Sequence, residues 1–111
     1  LGHPAEAVAA YREALAKNDG ETAARAQFLI GKIQADQKDV GEAVKSFIKA
    51  AYGYSAPKWQ AEATFEAARC LESLGRKSQA AAMYQELLDK FPTSDKAPEA
   101  KKRLAELPGE K

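Results

Sequence analysis

The sequence predicts an all-α fold, a solenoid of antiparallel helix pairs, and three observations support this prediction. Apolar residues recur along most of the chain with the three- and four-residue spacing of one helix face. A short pattern returns three times at a nearly constant offset, which is typical of repeat architectures. The seven glycines are scattered singly, and turn residues separate the apolar stretches.

The repeated pattern marks one helix in each unit. It begins as Glu6-Ala7-Val8, returns as Glu42-Ala43-Val44 after 36 residues, and returns again as a degraded Gln79-Ala80-Ala81 after 37 more. Each copy has an aromatic residue four positions after its central alanine and an apolar pair seven and eight positions after it. The aromatic residues are Tyr11, Phe47 and Tyr84. Because these spacings place the side chains on one stripe, each copy predicts the same amphipathic helix.

A second apolar stripe precedes the last two copies of the pattern. At an offset of 37 residues, Phe28 matches Phe65 and Lys32 matches Arg69. Each full unit is therefore predicted to be a helix, a tight turn and a second helix.

The chain is predicted to form one domain, residues 1–111, with six helical pieces. Their predicted bounds are 4–17, 22–37, 41–52, 58–74, 78–91 and 95–106. These pieces group into a half unit at 4–20, full units at 22–57 and 58–94, and a closing helix at 95–107. Gly75 is expected to end a helix in the left-handed conformation. The side chains expected to cap helices are Asp19, Ser78 and the cluster Thr93-Ser94-Asp95.

The two full units resemble the tetratricopeptide repeat family. In the first unit the residues that carry the resemblance are Ile30-Gly31, Asp39, Ala43, Phe47 and Ala50. In the second they are Ala67-Ala68, Gly75, Ala80, Tyr84, Leu87 and Pro92. The units are longer than the family's repeat of about 34 residues, and Gln27 and Thr64 replace its early large aromatic residue. The resemblance implies a right-handed solenoid that binds proteins.

The first helix, 4–17, matches only the second half of a unit. We therefore expect the chain to be the C-terminal part of a longer repeat protein. The apolar edge of this helix, formed by Val8, Tyr11 and Leu15, is expected to pair with another chain, because exposed stripes of this kind tend to find partners.

The composition excludes several function classes. The 17 Lys and Arg residues nearly balance the 16 Asp and Glu residues, with a formal net charge of +1, which argues against nucleic-acid binding. One cysteine and one histidine exclude multi-cysteine zinc sites and histidine-pair motifs. No apolar run approaches the roughly 18 residues of a membrane span. We predict no enzyme activity, no cofactor, no metal, no nucleic-acid partner and no membrane insertion.

The reactive side chains have structural interpretations. Cys70 lies in mid-helix among apolar residues and is predicted to be a small buried side chain. His3 precedes the first helix and is predicted to be solvated. Glu62 and Glu66 lie one turn apart and fit a solvated helix face.

The resemblance implies a concave groove lined by the first helices of the units, in which the matched rings and cations become neighbours. The predicted groove residues are Arg25, Phe28, Lys32, Asp36, Phe65, Arg69 and Glu72. Such a groove suits an extended peptide or a partner helix with acidic groups. The alternative is that both phenylalanine rings pack between helices. The family's carboxylate clamp is not expected, because the only asparagine, Asn18, lies in a turn.

A second candidate surface is the aromatic linker between the two full units, formed by Tyr52, Tyr54 and Trp59. Three large aromatic residues in a short linker could anchor a partner. In the alternative interpretation, Trp59 begins the next helix and fills the gap left by the longer loop.

Residues 84–94, from Tyr84 to Ser94, resemble bacterial cell-envelope members of the family, such as the Tol-Pal coordinator protein and the lipoproteins of outer-membrane assembly. That resemblance implies a bacterial origin and a periplasmic or cell-envelope scaffold, with a cytoplasmic location left open.

The sequence thus predicts a non-enzymatic scaffold that binds a protein or peptide on its concave face. One alternative is an oligomerisation segment that forms a homodimer through the N-terminal edge. The other is a regulatory domain of a larger enzyme.

Overall fold

The computed structural model describes residues 3–17 and 20–107. This part of the chain forms six α-helices and contains no strand. Their bounds are α1 Pro4–Lys17, α2 Glu21–Asp36, α3 Val40–Tyr52, α4 Pro57–Ser73, α5 Lys77–Lys90 and α6 Ala97–Glu106. Each helix packs against the next along the chain. The predicted fold class is therefore confirmed, with α2–α3 and α4–α5 as full units, α1 as the leading half unit and α6 as the closing helix.

The turns inside the two full units share one backbone conformation. Gly75 has a φ of 78°, as predicted, and Lys38, 37 residues earlier, has a φ of 68°. A left-handed conformation is rare for a residue with a side chain. The sequence therefore predicted both turns, but it indicated the left-handed residue only at Gly75 and not at Lys38.

The predicted helix caps are wrong where the structure describes them. Helix α5 begins directly after Arg76, so Ser78 already lies inside the helix, and α5 has no side-chain cap. Helix α6 follows Lys96 without a side-chain cap, although the Ser94 hydroxyl accepts a hydrogen bond of 3.1 Å from the Lys96 backbone N–H. The other expected cap, Asp19, lies outside the described residues.

The core repeats once in each full unit, at the positions that the sequence pattern marked. The fully buried residues of the second helices are Ala43, Phe47 and Ala50 in α3, and Ala80, Tyr84 and Leu87 in α5. Gly31 on α2 approaches the Phe47 ring so closely that an added Cβ would lie 2.7 Å from Phe47 Cε1. The contact between the Phe47 ring and the small residue Gly31 therefore sets the distance between α2 and α3.

The helices are arranged in an elongated array with extents of 42 × 27 × 21 Å. Helices α2 and α4, the first helices of the two full units, also contact each other, and this contact joins the units along one side. No helix of the described residues is both long and apolar enough to cross a membrane.

Candidate protein-binding surface

The phenylalanine rings predicted to line a groove are buried. Phe28 is 8% exposed and Phe65 is 4% exposed. The Phe28 ring packs against Phe47 and Trp59, with centroids 5.4 and 5.5 Å apart. The Phe65 ring meets Tyr84 edge-on at 5.8 Å. The prediction that these rings are exposed in the groove is therefore wrong, because both fill spaces between helices.

Charged side chains cover the Phe65 ring. Lys32 Nζ on α2 lies 4.0 Å from the Glu66 carboxylate on α4, and Arg69 Nη1 lies 3.5 Å from the same carboxylate. The Arg69 guanidinium lies 6.0 Å from the Phe65 centroid, and Lys96 Nζ lies 5.3 Å from it. We call the surface formed by Lys32, Glu66, Arg69 and Lys96 the first-helix face. Glu66 joins α2 to α4 across this face through Lys32, and Glu62 on α4 lies 3.9 Å from Lys96 Nζ at the start of α6.

The two cations on Glu66 are only loosely held. The side chains of Lys32 and Arg69 are 44% and 58% exposed, whereas that of Glu66 is 12% exposed. Ion pairs with this much solvent contact stabilise a fold by between about 0 and 1 kcal/mol. Lys32 and Arg69 therefore keep enough exposed surface to contact an external carboxylate while they remain beside Glu66. The other predicted groove residues on α2, Arg25 and Asp36, are exposed.

Glu72, predicted to flank the groove, holds the closing helix instead. Arg103 on α6 donates hydrogen bonds to both carboxylate oxygens of Glu72, one of them from Nε at 3.2 Å. The Tyr84 hydroxyl donates to the same carboxylate at 2.5 Å. The hydrogen bonds from Arg103 and Tyr84 outweigh burial and hold the pKa of Glu72 below its usual range. Burial and the Glu72 carboxylate raise the pKa of Tyr84.

Glu72 should make the stability of the fold depend on pH. Because its pKa in the folded chain lies below the unfolded value of about 4.3, its contribution is fully present above that value and is lost as the pH falls through the lower folded pKa. Thermal unfolding followed by circular dichroism should show a steeper loss of stability below about pH 4 for the native chain than for Glu72→Gln. Equal slopes in the two proteins would contradict this assignment.

A cleft of about 190 Å³ opens beside the first-helix face, between α4 and α6. Its lining residues are Phe65, Arg69, Glu72, Glu99 and Arg103. The cleft is large enough for one side chain of a partner, and its lining combines an aromatic ring with charges of both signs. A larger cleft of about 330 Å³ lies at the edge of the array, where Phe91 and Pro92 follow α5.

Of the three residues of the aromatic linker, Tyr52 is exposed, and Tyr54 and Trp59 are half-buried. Tyr52 is 51% exposed, its hydroxyl donates to Glu86 at 2.8 Å, and burial together with Glu86 raises its pKa to about 12. Tyr54 is half-buried. Trp59 lies in the first turn of α4, packs against Phe28 and donates from Nε1 to Glu21 at 3.3 Å. Trp59 therefore fills the gap between units, as the packing alternative predicts.

Two of the three interpretations of reactive side chains are confirmed. Cys70 is buried, and burial raises the pKa of its thiol, which keeps the sulfur protonated and weakly nucleophilic. His3 is exposed. The interpretation of Glu66 as part of a solvated face is wrong, because it is 9% exposed beneath Lys32 and Arg69.

Sequence reasoning missed Glu66, Lys96 and Arg103 as members of this surface. The three-residue spacing of Glu66 and Arg69 on α4 was a usable signal, because such pairs meet on a helix. No comparable signal joins Lys96 or Arg103 to α4, because their approach depends on where the chain places α6.

The six helices, packed in consecutive antiparallel pairs, define a helical repeat protein. Two family models, each described as tetratricopeptide repeat, match residues 1–60 and residues 62–94. The chain therefore belongs to the tetratricopeptide repeat family, whose repeats generally mediate protein–protein interactions. No curated protein and no solved structure matches the chain.

Proposed function

We propose that the chain is a non-enzymatic protein-interaction module whose first-helix face binds an acidic segment of a partner protein. The observation that carries this proposal is the shared ion pair of Lys32 and Arg69 with Glu66. Both cations are presented by adjacent first helices, at matched positions of the two units, and both remain largely exposed.

The exposed sides of the two cations define the partner. A partner carboxylate that contacts Lys32 and Arg69 from the solvent side leaves Glu66 paired, so no buried carboxylate loses its cations. The adjacent cleft offers the stem of Arg69 to an apolar side chain. The segment that fits best therefore carries an aspartate or glutamate next to an apolar residue.

The charges on this face also limit the partner. Glu66 stays beneath the two cations, so a basic residue next to the partner's carboxylate balances the second negative charge on this face. A purely acidic segment would meet Glu66 and Glu99 without compensation, which opposes binding by like-charge repulsion. We infer that recognition depends on the order of charges in the segment more than on its net charge.

The resemblance of residues 84–94 to cell-envelope members of the family supports a periplasmic or cell-envelope location for this module. The alternative function is that of a regulatory domain of a larger enzyme.

Charge reversal tests the proposed face. We expect the double variant Lys32→Glu with Arg69→Glu to lose at least about tenfold in affinity for peptides selected on the native chain from a displayed random library. The same selection should enrich peptides that contain an aspartate or glutamate beside an apolar residue. Affinities would be measured by isothermal titration calorimetry on the selected peptides.

Lys45→Glu with Lys49→Glu is the matched control. Both lysines are exposed on α3, so reversing them changes the net charge by the same four units as the double variant without touching the first-helix face. Binding that falls equally in the control and in the double variant would reflect net charge alone. Selected peptides without acidic residues would also overturn the proposal.

A further inference from the structure

The two clefts of the molecule that α4 lines open on the same side of this helix. The smaller one, which we call the inner cleft, is lined on α4 by Phe65, Arg69 and Glu72. The larger one, which we call the edge cleft, is lined by Lys58 and Glu62 from the first half of the helix. Because these five residues follow one another at spacings of four, three, four and three positions, they form a single stripe. The two clefts therefore lie end to end along α4.

The opposite wall of both clefts comes from the part of the chain that ends α5 and forms α6. Residues 90–95 line the edge cleft, and Arg103 on α6 lines the inner cleft. Lys96 lies between these two groups along the chain. Its Nζ is 3.9 Å from the Glu62 carboxylate and 5.3 Å from the Phe65 centroid, so its side chain reaches α4 where the two clefts meet. The clefts are thus two parts of one groove, with a side-chain bridge between them.

The width of this groove favours an extended segment over a helix. Two ion pairs cross the groove directly from α4 to α6, Glu62 with Lys96 and Glu72 with Arg103. A helix with its side chains is about 10 Å across, so it does not fit into a gap that pairs of side chains span. An extended segment is narrower and can lie over the bridge between Glu62 and Lys96, with alternate side chains directed into the groove.

The distance between the clefts sets the spacing of the side chains that fill them. The α4 residues that line the two clefts fall within 57–62 and 65–72, and the midpoints of these ranges are about nine residues, or about 13 Å, apart along the helix. Four residues of an extended chain also cover about 13 Å. Because side chains four positions apart point to the same face of an extended chain, one segment can place a side chain in each cleft.

The edge cleft favours a large aromatic side chain with a polar tip. With a volume of about 330 Å³ it is the larger of the two clefts. Ala61, Phe91 and Pro92 give it apolar surface, whereas Lys58 and Asp95 are exposed and charged. Tyrosine and tryptophan match this combination, because each has an apolar ring and one group that forms hydrogen bonds.

We propose that one extended segment of the partner fills both clefts, with an apolar residue in the inner cleft and a tyrosine or tryptophan four positions away in the edge cleft. This inference rests on the proposed function, because the residue in the inner cleft is the one beside the carboxylate that contacts Lys32 and Arg69. The charges on the first-helix face then select the segment, and the aromatic residue in the edge cleft supplies most of the affinity.

Peptides selected on the native chain from a displayed random library test the spacing. We expect them to carry a tyrosine or tryptophan four positions from the apolar residue beside the carboxylate. Replacing that aromatic residue with alanine should weaken binding at least about tenfold in calorimetric titrations. Inserting two glycines between the two anchors moves the aromatic residue by about 7 Å and should weaken binding as much. Selected peptides without an aromatic residue at this spacing would overturn the inference.

Thr93→Trp tests the edge cleft itself, because Thr93 is exposed and lines this cleft, so that a large ring there fills it. The variant should bind the selected peptides about tenfold more weakly and should bind their alanine-substituted forms as the native chain does, since the two changes remove the same contact. Ala82→Trp is the matched control. Ala82 is exposed on α5, outside both clefts, so this variant should bind like the native chain.

The outcomes separate this inference from the proposed function. Peptides that bind Thr93→Trp as tightly as the native chain, yet lose binding to Lys32→Glu with Arg69→Glu, would overturn the inference and leave the proposed function standing. Peptides that lose binding to Thr93→Trp but not to the charge-reversed chain would show that the edge cleft binds alone, which would overturn both.

Discussion

Replacing Phe47 with alanine should lower the free energy of unfolding by about 3–5 kcal/mol. The ring is fully buried, packs against Phe28 at 5.4 Å and fills the space above Gly31. Its removal loses the transfer free energy of a phenyl group and leaves a cavity between α2 and α3, which the packed helices cannot close without moving apart. Urea unfolding followed by circular dichroism measures the effect.

The next residue along α3 is the control for this prediction. Ile48 is 37% exposed, so Ile48→Ala removes a side chain of comparable apolar character from a site that water already reaches. We expect it to cost less than about 1 kcal/mol. Equal losses in Phe47→Ala and Ile48→Ala would show that burial in this unit does not determine its stability.

Gly31 provides an internal check on the same contact. Gly31→Ala should destabilise the native chain, because its Cβ would lie 2.7 Å from the Phe47 ring, and a fully buried ring cannot move aside cheaply. In the Phe47→Ala background that clash disappears, and the same substitution should stabilise α2 by up to about 1 kcal/mol through helix propensity. The change of sign between the two backgrounds isolates the ring contact.

The sequence predicts the packing of α3 and α5 well because a single stripe of residues on each helix forms the packed side. Ala43, Phe47 and Ala50 follow helical spacing, their counterparts recur one unit later, and all six residues are fully buried. The helix bounds also agree with the predicted ones to within two residues. Repetition compensates for what a single amphipathic pattern leaves ambiguous, because an accidental pattern does not recur in register.

The sequence predicts the candidate binding surface less well because α4 is buried on most of its circumference. All residues from Ala63 to Ala68 are buried, since α2, α3 and α5 all pack against this helix. Periodicity assigns a residue to a face only when the helix has one buried side. It therefore could not distinguish a groove-facing Phe65 from a packed one, and it placed Glu66 in solvent.

The position of the closing helix could not be predicted from the sequence, for a different reason. The contact between Glu72 and Arg103 joins residues 31 positions apart, and between them the chain passes through the irregular segment that follows α5. No periodicity crosses such a segment. The direction in which α6 leaves it decides whether Arg103 faces Glu72 or solvent, and tertiary packing determines that direction.

Replacing Glu72 with alanine should destabilise the chain by about 1–3 kcal/mol, because the buried Tyr84 hydroxyl loses its acceptor. Arg103 also loses both of its hydrogen bonds to Glu72, which frees one side of α6. We therefore expect hydrogen exchange to accelerate more at the α6 amides than at those of α2. Unfolding by urea and exchange read by mass spectrometry measure the two effects.

Two further variants separate this contact from surface electrostatics. Glu106 pairs with the same Arg103, but its side chain is 50% exposed, so Glu106→Ala should have little effect on either measurement. Adding Tyr84→Phe to Glu72→Ala removes the unsatisfied hydroxyl and should recover part of the lost stability, because deleting both partners of a buried hydrogen bond costs less than deleting one. If Glu106→Ala were as damaging as Glu72→Ala, the closing helix would be held by general charge attraction, and the Tyr84–Glu72–Arg103 contact would have no special role in holding α6 against the last repeat.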